Sequence, residues 1–177
     1  SDDGIADGGN GDDTLSGGYG NDQLYGGAGN DTIRVFAHRI GANVYDYVVT
    51  VDGGDGNDTI ISDILSWTHA SVRITGGAGN DMFVFSSPFI NAIAHIEDFQ
   101  TGDQIDLIGI LPSDAGFNPF GASGWLSVYE DASDTVIMLD RDGAAGRQYF
   151  PEQLIVLTDF ARSSLSAASF VGGFDPG

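Results

Sequence analysis

GGNGDDTLS-GGYGNDQLY-GGAGNDTIR, residues 8–34, is one nine-residue phrase given three times. The phrase is Gly-Gly-x-Gly-x-Asp-x-U-x, with U a large apolar residue, and it returns at Gly53–Ile61 (GGDGNDTII) and Gly76–Val84 (GGAGNDMFV). Its glycines permit backbone with φ > 0, so that carbonyl oxygens can turn inward toward one spot. The aspartate of each phrase (Asp13, Asp22, Asp31, Asp58, Asp81) adds a carboxylate to that spot. The apolar residue two places on (Leu15, Leu24, Ile33, Ile60, Phe83) belongs to a short strand that alternates inward. A flexible Gly/Asn/Asp-rich linker has no reason to place an apolar residue at position eight every time.

Carbonyls and carboxylates gathered at a tight turn are hard oxygen ligands, which suit Ca²⁺ rather than a transition metal. The candidate ligating positions are two, three, four and six of each phrase. They are Gly9, Asn10, Gly11 and Asp13; Gly18, Tyr19, Gly20 and Asp22; Gly27, Ala28, Gly29 and Asp31; Gly54, Asp55, Gly56 and Asp58; and Gly77, Ala78, Gly79 and Asp81. The nonapeptide resembles the calcium-binding repeat of the RTX (repeats-in-toxin) family. That resemblance implies an all-β fold, a right-handed parallel β-roll with two nonapeptides in each 18-residue coil and several Ca²⁺ between stacked turns.

The spacing of the turns sets a register. Gly8 to Gly26 is 18 residues, Gly26 to Gly53 is 27 and Gly53 to Gly76 is 23. Turns 8, 26, 53 and 76 are therefore expected to form one ladder, with insertions at 37–46 and 62–70 on the opposite edge. Turn 17 lies on that other edge, and its upstream neighbour is expected near Asp3, where Asp3-Gly-Ile5 keeps the Asp-x-U spacing. His95–Ile108 (HIEDFQTGDQIDLI) resembles the stretch that follows the repeats in serralysin proteases and in the R-modules of mannuronan epimerases. Asp98, Gly102, Asp103 and Asp106 supply the matching acids and glycine, with one residue fewer between glycine and aspartate. Asp98 and Asp103 join the candidate ligands on that ground, as does Asp3 on its spacing.

From Leu111 the repeats are gone, which suggests a β-roll over 1–110 and a C-terminal β-rich cap over 111–177, packed as one elongated unit. Gly124–Glu130 and Asp134–Asp140 alternate with period two and read as a hairpin, a β-sandwich-like element. Gln153–Leu157 is a further strand, and Ser163–Phe170 is too short and Ser-rich to assign beyond one helical turn at most. This third resembles the C-terminal segment of RTX proteins exported by the type I pathway. Asp140-x-Asp142-Gly143 begins like an EF-hand loop, but Ala144 and Pro151 stand where ligands are needed, so it reads as an exposed turn.

The formal net charge is −20, with six arginines and no lysine, which makes nucleic acid and anionic membranes poor partners. Such acidity fits a chain whose self-repulsion is relieved by bound cations. There is no cysteine to staple a secreted fold, and calcium can take that part. No apolar run approaches the roughly 18 residues of a membrane span. Ser1 falls in mid-repeat, so the chain reads as a piece of a larger protein.

No His-Glu-x-x-His, Gly-x-Ser-x-Gly or cysteine nucleophile is present, and His38, His69 and His95 stand apart. The chain itself is therefore expected to be non-enzymatic, with any catalytic domain elsewhere in its parent. The family resemblance points to a calcium-dependent folding and secretion module of an extracellular or cell-surface bacterial protein, with the type I machinery as partner. An alternative is polysaccharide binding, as an alginate-type accessory module or an adhesin segment, with Tyr45 and Trp67 in the inserted loops as stacking residues.

Overall fold

A computed structural model describes residues 3–18, 20–38, 48–65, 70–86, 92–107, 109–111, 118–121, 124–143, 151–174 and 176. The chain runs through strands β1 (Ile5–Asn10), β2 (Thr14–Ser16), β3 (Gln23–Ala28), β4 (Thr32–His38), β5 (Val48–Asp55), β6 (Thr59–Leu65) and β7 (Ala70–Ala78). It continues through β8 (Met82–Phe85), β9 (Ala92–Ile96), β10 (Gln104–Asp106), β11 (Leu126–Asp131), β12 (Asp134–Leu139) and β13 (Glu152–Leu157). Odd-numbered strands β1 to β9 form one parallel ladder and even-numbered strands β2 to β10 another, in the order of the coils. This is the parallel β-roll expected from the repeats.

Position eight of each phrase builds the core because strands alternate faces. Leu15, Ile33, Ile60, Phe83 and Ile105 pair in turn along the even strands. Leu24, Val51, Ile74 and Ile96 do so along the odd strands. All nine are buried. Burying each such side chain contributes about 1.5–3 kcal/mol, and the stack is continuous only when neighbouring coils are in register.

The insertions are narrower than the sequence suggested. Strands β4 and β6 pair from Thr32↔Thr59 to His38↔Leu65, so residues 37–38 and 62–65 are strand. Strand β7 begins at Ala70. The extension comes from an extra inward rung, in which Val35 pairs with Ser62 and Ser62 with Phe85, all buried. Part of each added stretch thus lengthens the strands.

The C-terminal strands prolong the larger sheet. Strand β13 pairs parallel with β9, matching Ile155, Val156 and Leu157 to Ala94, His95 and Ile96. Strands β13, β12 and β11 then run antiparallel, and β11–β12 is the expected hairpin. The smaller sheet is closed by Phe170, which bridges to Ile105, is buried, and has its ring 4.9 Å from that of Phe120. Phe99 lies 5.9 Å from Phe83 and 5.1 Å from Phe160, tying the last coil to this cap. Around Ser163–Phe170 the chain makes two short 3₁₀ turns, Arg162–Ser164 and Ala167–Ser169. The second is closed by the Ser166 hydroxyl, which accepts from the Ala168 N–H. No helix among the described residues is long and apolar enough to cross a membrane.

Candidate metal centre

The turns stack as their spacing required. Gly9 pairs with Gly27, Gly27 with Gly54 and Gly54 with Gly77, so turns 8, 26, 53 and 76 form one edge. Positive φ is needed here: Gly54 and Gly56 have φ of 103° and 142°. A Cβ on either would also fall on the carbonyl oxygen of the turn above, Gly27 and Gly29 respectively. Only glycine permits both the conformation and the approach.

The aspartates link these turns. The Asp13 N–H donates to Asp31 Oδ1 at 2.7 Å, Asp31 N–H to Asp58 Oδ1 at 2.7 Å, and Asp58 N–H to Asp81 Oδ1 at 2.9 Å. Asp81 N–H continues the line to Asp103 Oδ1 at 3.0 Å. The other oxygens, Oδ2 of Asp13, Asp31, Asp58 and Asp81, are buried without a hydrogen-bond partner. The space beside Gly8, Gly26 and Gly53, where a Cβ would sit, is bounded by Oδ2 of that turn's own aspartate and by the carbonyl of Gly26, Gly53 and Gly76 respectively. Beside Gly76 the neighbours are Asp81 Oδ2 and the Phe83 ring.

A buried carboxylate oxygen set against a carbonyl oxygen, with no donor between them, is costly unless a cation joins them. The electrostatics agree. Burial pushes the Asp58, Asp81 and Asp103 carboxyls up. Asp81 reaches about 6, with the charges of Asp103, Asp58 and Asp98 adding to the rise and the Asp58 N–H opposing it. Asp52 is raised by burial and by the nearby Asp98 charge.

Over residues 2–34, 49–64 and 71–86 the sequence matches the family model of the RTX calcium-binding nonapeptide repeat, in four copies. The chain carries RTX calcium-binding nonapeptide repeats. An RTX repeat binds calcium, and the oxygen-only donors and partnerless Oδ2 atoms of these turns fit a hard divalent cation. No curated protein matches the chain. Among solved structures it is similar to the solution structure of the AlgE6R3 subunit from the Azotobacter vinelandii mannuronan C5-epimerase, at 23% identity and a TM-score of 0.43. That match covers 93% of this chain and 80% of the other.

The remaining candidates are held differently from the main RTX ladder. Turn 17 stacks on Asp3-Gly4 as expected: Asp3 Oδ1 accepts from Asn21 N–H at 2.9 Å, which lowers the Asp3 pKa. Asp22, however, has both oxygens bonded, to Gly4 N–H at 2.9 Å and to Gly18 N–H at 2.8 Å. Asp98 likewise accepts from Gly76 N–H and Gly77 N–H, both at 2.8 Å. Asp103 accepts from Gln100 N–H at 2.9 Å as well as from Asp81. Gln100, which no motif marks, donates its side-chain amide to the Gly77 carbonyl at 2.8 Å.

Tyr19, Tyr45, Trp67 and His69 lie outside the described residues. His38 ends β4, and His95 lies on β9 paired with Arg73 and Val156. At the Asp140–Gly143 turn the Asp142 N–H donates to Asp140 Oδ1 at 3.3 Å, a local turn bond.

Proposed function

We propose that this chain is a calcium-dependent folding and secretion module of a larger secreted bacterial protein. The observation that carries this is the set of partnerless buried oxygens on Asp13, Asp31, Asp58 and Asp81, three of which face a carbonyl of the next turn. In this reading the carboxylates of those four aspartates, with the carbonyls of Gly26, Gly53 and Gly76 that three of them face and those of Gly9, Gly11, Gly27, Gly29, Gly54, Gly56, Gly77 and Gly79 and of the residues between them, hold ions in the gaps of the ladder. Bound calcium supplies the positive charge that lets these acids pack together.

Without it, the stacked turns set buried carboxylates near enough to repel one another at a net chain charge of −20, and no disulfide offsets the repulsion. Extracellular calcium modules of this kind bind in the range of roughly 10⁻⁴–10⁻³ M. Such sites stay empty in a calcium-poor cytosol, so the chain remains extended enough to thread an exporter. They fill outside the cell, where binding free energy becomes folding free energy. The type I route is supported by the RTX repeats themselves.

The test is far-UV circular dichroism of EDTA-stripped protein during a Ca²⁺ titration, with Mg²⁺ as control. A cooperative gain of β signal with Ca²⁺ alone is expected. A chain already folded in EDTA would defeat the secretion argument, since its core would then stand without ions.

A further inference from the structure

Position five of the nonapeptide belongs to none of the expected ligand sets. Along the main edge it is Asp12, Asn30, Asn57 and Asn80, all exposed. Their side chains are nevertheless ordered into a second line of bonds. Asn30 N–H donates to Asp12 Oδ1 at 2.7 Å, Asn57 N–H to Asn30 Oδ1 at 2.9 Å, and Asn80 N–H to Asn57 Oδ1 at 2.8 Å. Asn30 Nδ2 and Asn80 Nδ2 reach the same acceptors at 3.4 Å. At the far end a Cβ on Gly102 would fall on Asn80 Oδ1.

This line runs opposite to the aspartate line beside it. At position six the upper turn donates to the side chain of the lower turn: Asp31 N–H to Asp58 Oδ1. At position five the lower turn donates to the side chain of the upper one: Asn57 N–H to Asn30 Oδ1. Each gap is thus clasped by two bonds of opposite sense from adjacent residues. The backbone ladder sets the register on either side, through Gly29 N–H to the Asp55 carbonyl and Thr59 N–H to the Asp31 carbonyl, both at 2.8 Å, and the two side-chain bonds of opposite sense hold the stretch between them. The carboxylate of position six then keeps one oxygen on an N–H and the other turned to the gap.

We propose that the position-five residues Asn30, Asn57 and Asn80, with Asp12 at the first rung, are positioning residues for the calcium sites. They bind no ion themselves. Asparagine suits the inner rungs because it accepts a hydrogen bond without adding charge to a line already dense in carboxylates. The inference rests on the reading above that the gaps hold calcium.

The experiment uses the full chain and the variants Asn57→Ala and Asn57→Asp, in 0.5 M KCl to screen the added charge. Two quantities are read: the Ca²⁺ midpoint by circular dichroism and the ions bound per chain at saturation by equilibrium dialysis with atomic emission. Asn57→Ala is expected to bind as many ions as the parent, with a midpoint roughly 1.5- to 2-fold higher and a shallower transition, as loss of the exposed acceptor of Asn80 N–H, with its weaker 3.4 Å bond from Asn80 Nδ2, dictates when shared among coupled sites. Asn57→Asp keeps the acceptor and is expected to restore the parent midpoint.

If Asn57→Ala does not fold at all, Asp12→Ala against Asp12→Asn makes the same comparison at the first rung, which borders a single gap. An unchanged midpoint in the alanine variant overturns the inference, as does a conservative variant that fails to rescue. Loss of an ion would make Asn57 a ligand and overturn it too. A parent chain indifferent to calcium would overturn the underlying reading, and this inference with it.

Discussion

Replacing Asp31 with alanine should raise the calcium needed for folding more than replacing Asp13, although the two hold the same place in their repeats. Asp31 is 1% exposed and serves two gaps. Its Oδ1 accepts from Asp13 N–H above, and its Oδ2 faces the Gly53 carbonyl below. Asp13 is the first rung of the ladder and serves the gap below it. Both variants lose one gap-facing oxygen, but Asp31→Ala also loses a hydrogen bond to a charged acceptor, worth about 1.5–3 kcal/mol. If three ions bind as the chain folds, about 2 kcal/mol divided among them raises the midpoint roughly threefold relative to Asp13→Ala, at RT of about 0.6 kcal/mol. The assay is the dichroism titration at 25 °C on both variants after EDTA stripping. Asp31→Asn separates the two losses, since its amide oxygen still accepts from Asp13 N–H. Equal midpoints for Asp31→Ala and Asp13→Ala would refute the shared-rung argument.

Three further outcomes are expected. Gly54→Ala drives a Cβ onto the Gly27 carbonyl at a φ of 103°, and should leave the roll unfolded even in millimolar calcium, whereas a Cβ on Gly18 meets nothing within 4 Å and alanine there should fold. Asp98→Ala removes both acceptors of Gly76 N–H and Gly77 N–H and should lower the melting temperature of the calcium-loaded protein by about 5–10 °C in calorimetry. Acid should partly replace calcium. Because the Asp81 carboxyl is raised from 3.8 to about 6 in the fold, its protonation favours the metal-free roll below about pH 4, an advantage lost as pH rises through 6. Dichroism in EDTA should therefore show more β structure at pH 4 than at pH 7.5, and a flat profile would exclude buried carboxylates as the barrier to folding.

The roll was legible because each coil repeats both its turn and its inward residue. The intervals of 18, 27 and 23 residues between aspartates forced turns 13, 31, 58 and 81 onto one edge whatever the loops between them did. The chemistry of individual turns was less legible. Gly17–Tyr25 has the same letters as its neighbours, yet Asp22 closes on Gly18 N–H while Asp31 keeps an oxygen free. The difference arises from what stacks above and below, which a nine-residue pattern does not contain. Asparagine at position five, in Asn21, Asn30, Asn57 and Asn80, was a visible signal, but the direction of its hydrogen bonds is a property of the stack. Strand β13 was readable as a strand, while its parallel pairing with β9 joins residues about 60 apart and leaves no local trace.

That pairing has a consequence for chains that are cut short. Among the described residues β9 receives its outer neighbour from Glu152–Leu157, so a product truncated between β10 and that segment keeps every coil strand and leaves the outer edge of β9 without its partner. Bare edges recruit strands from other molecules. The C-terminal strands therefore move that edge of the larger sheet from β9 out to β11, whose exposed Glu130 and Asp131 make a poorer template for a strand from another molecule.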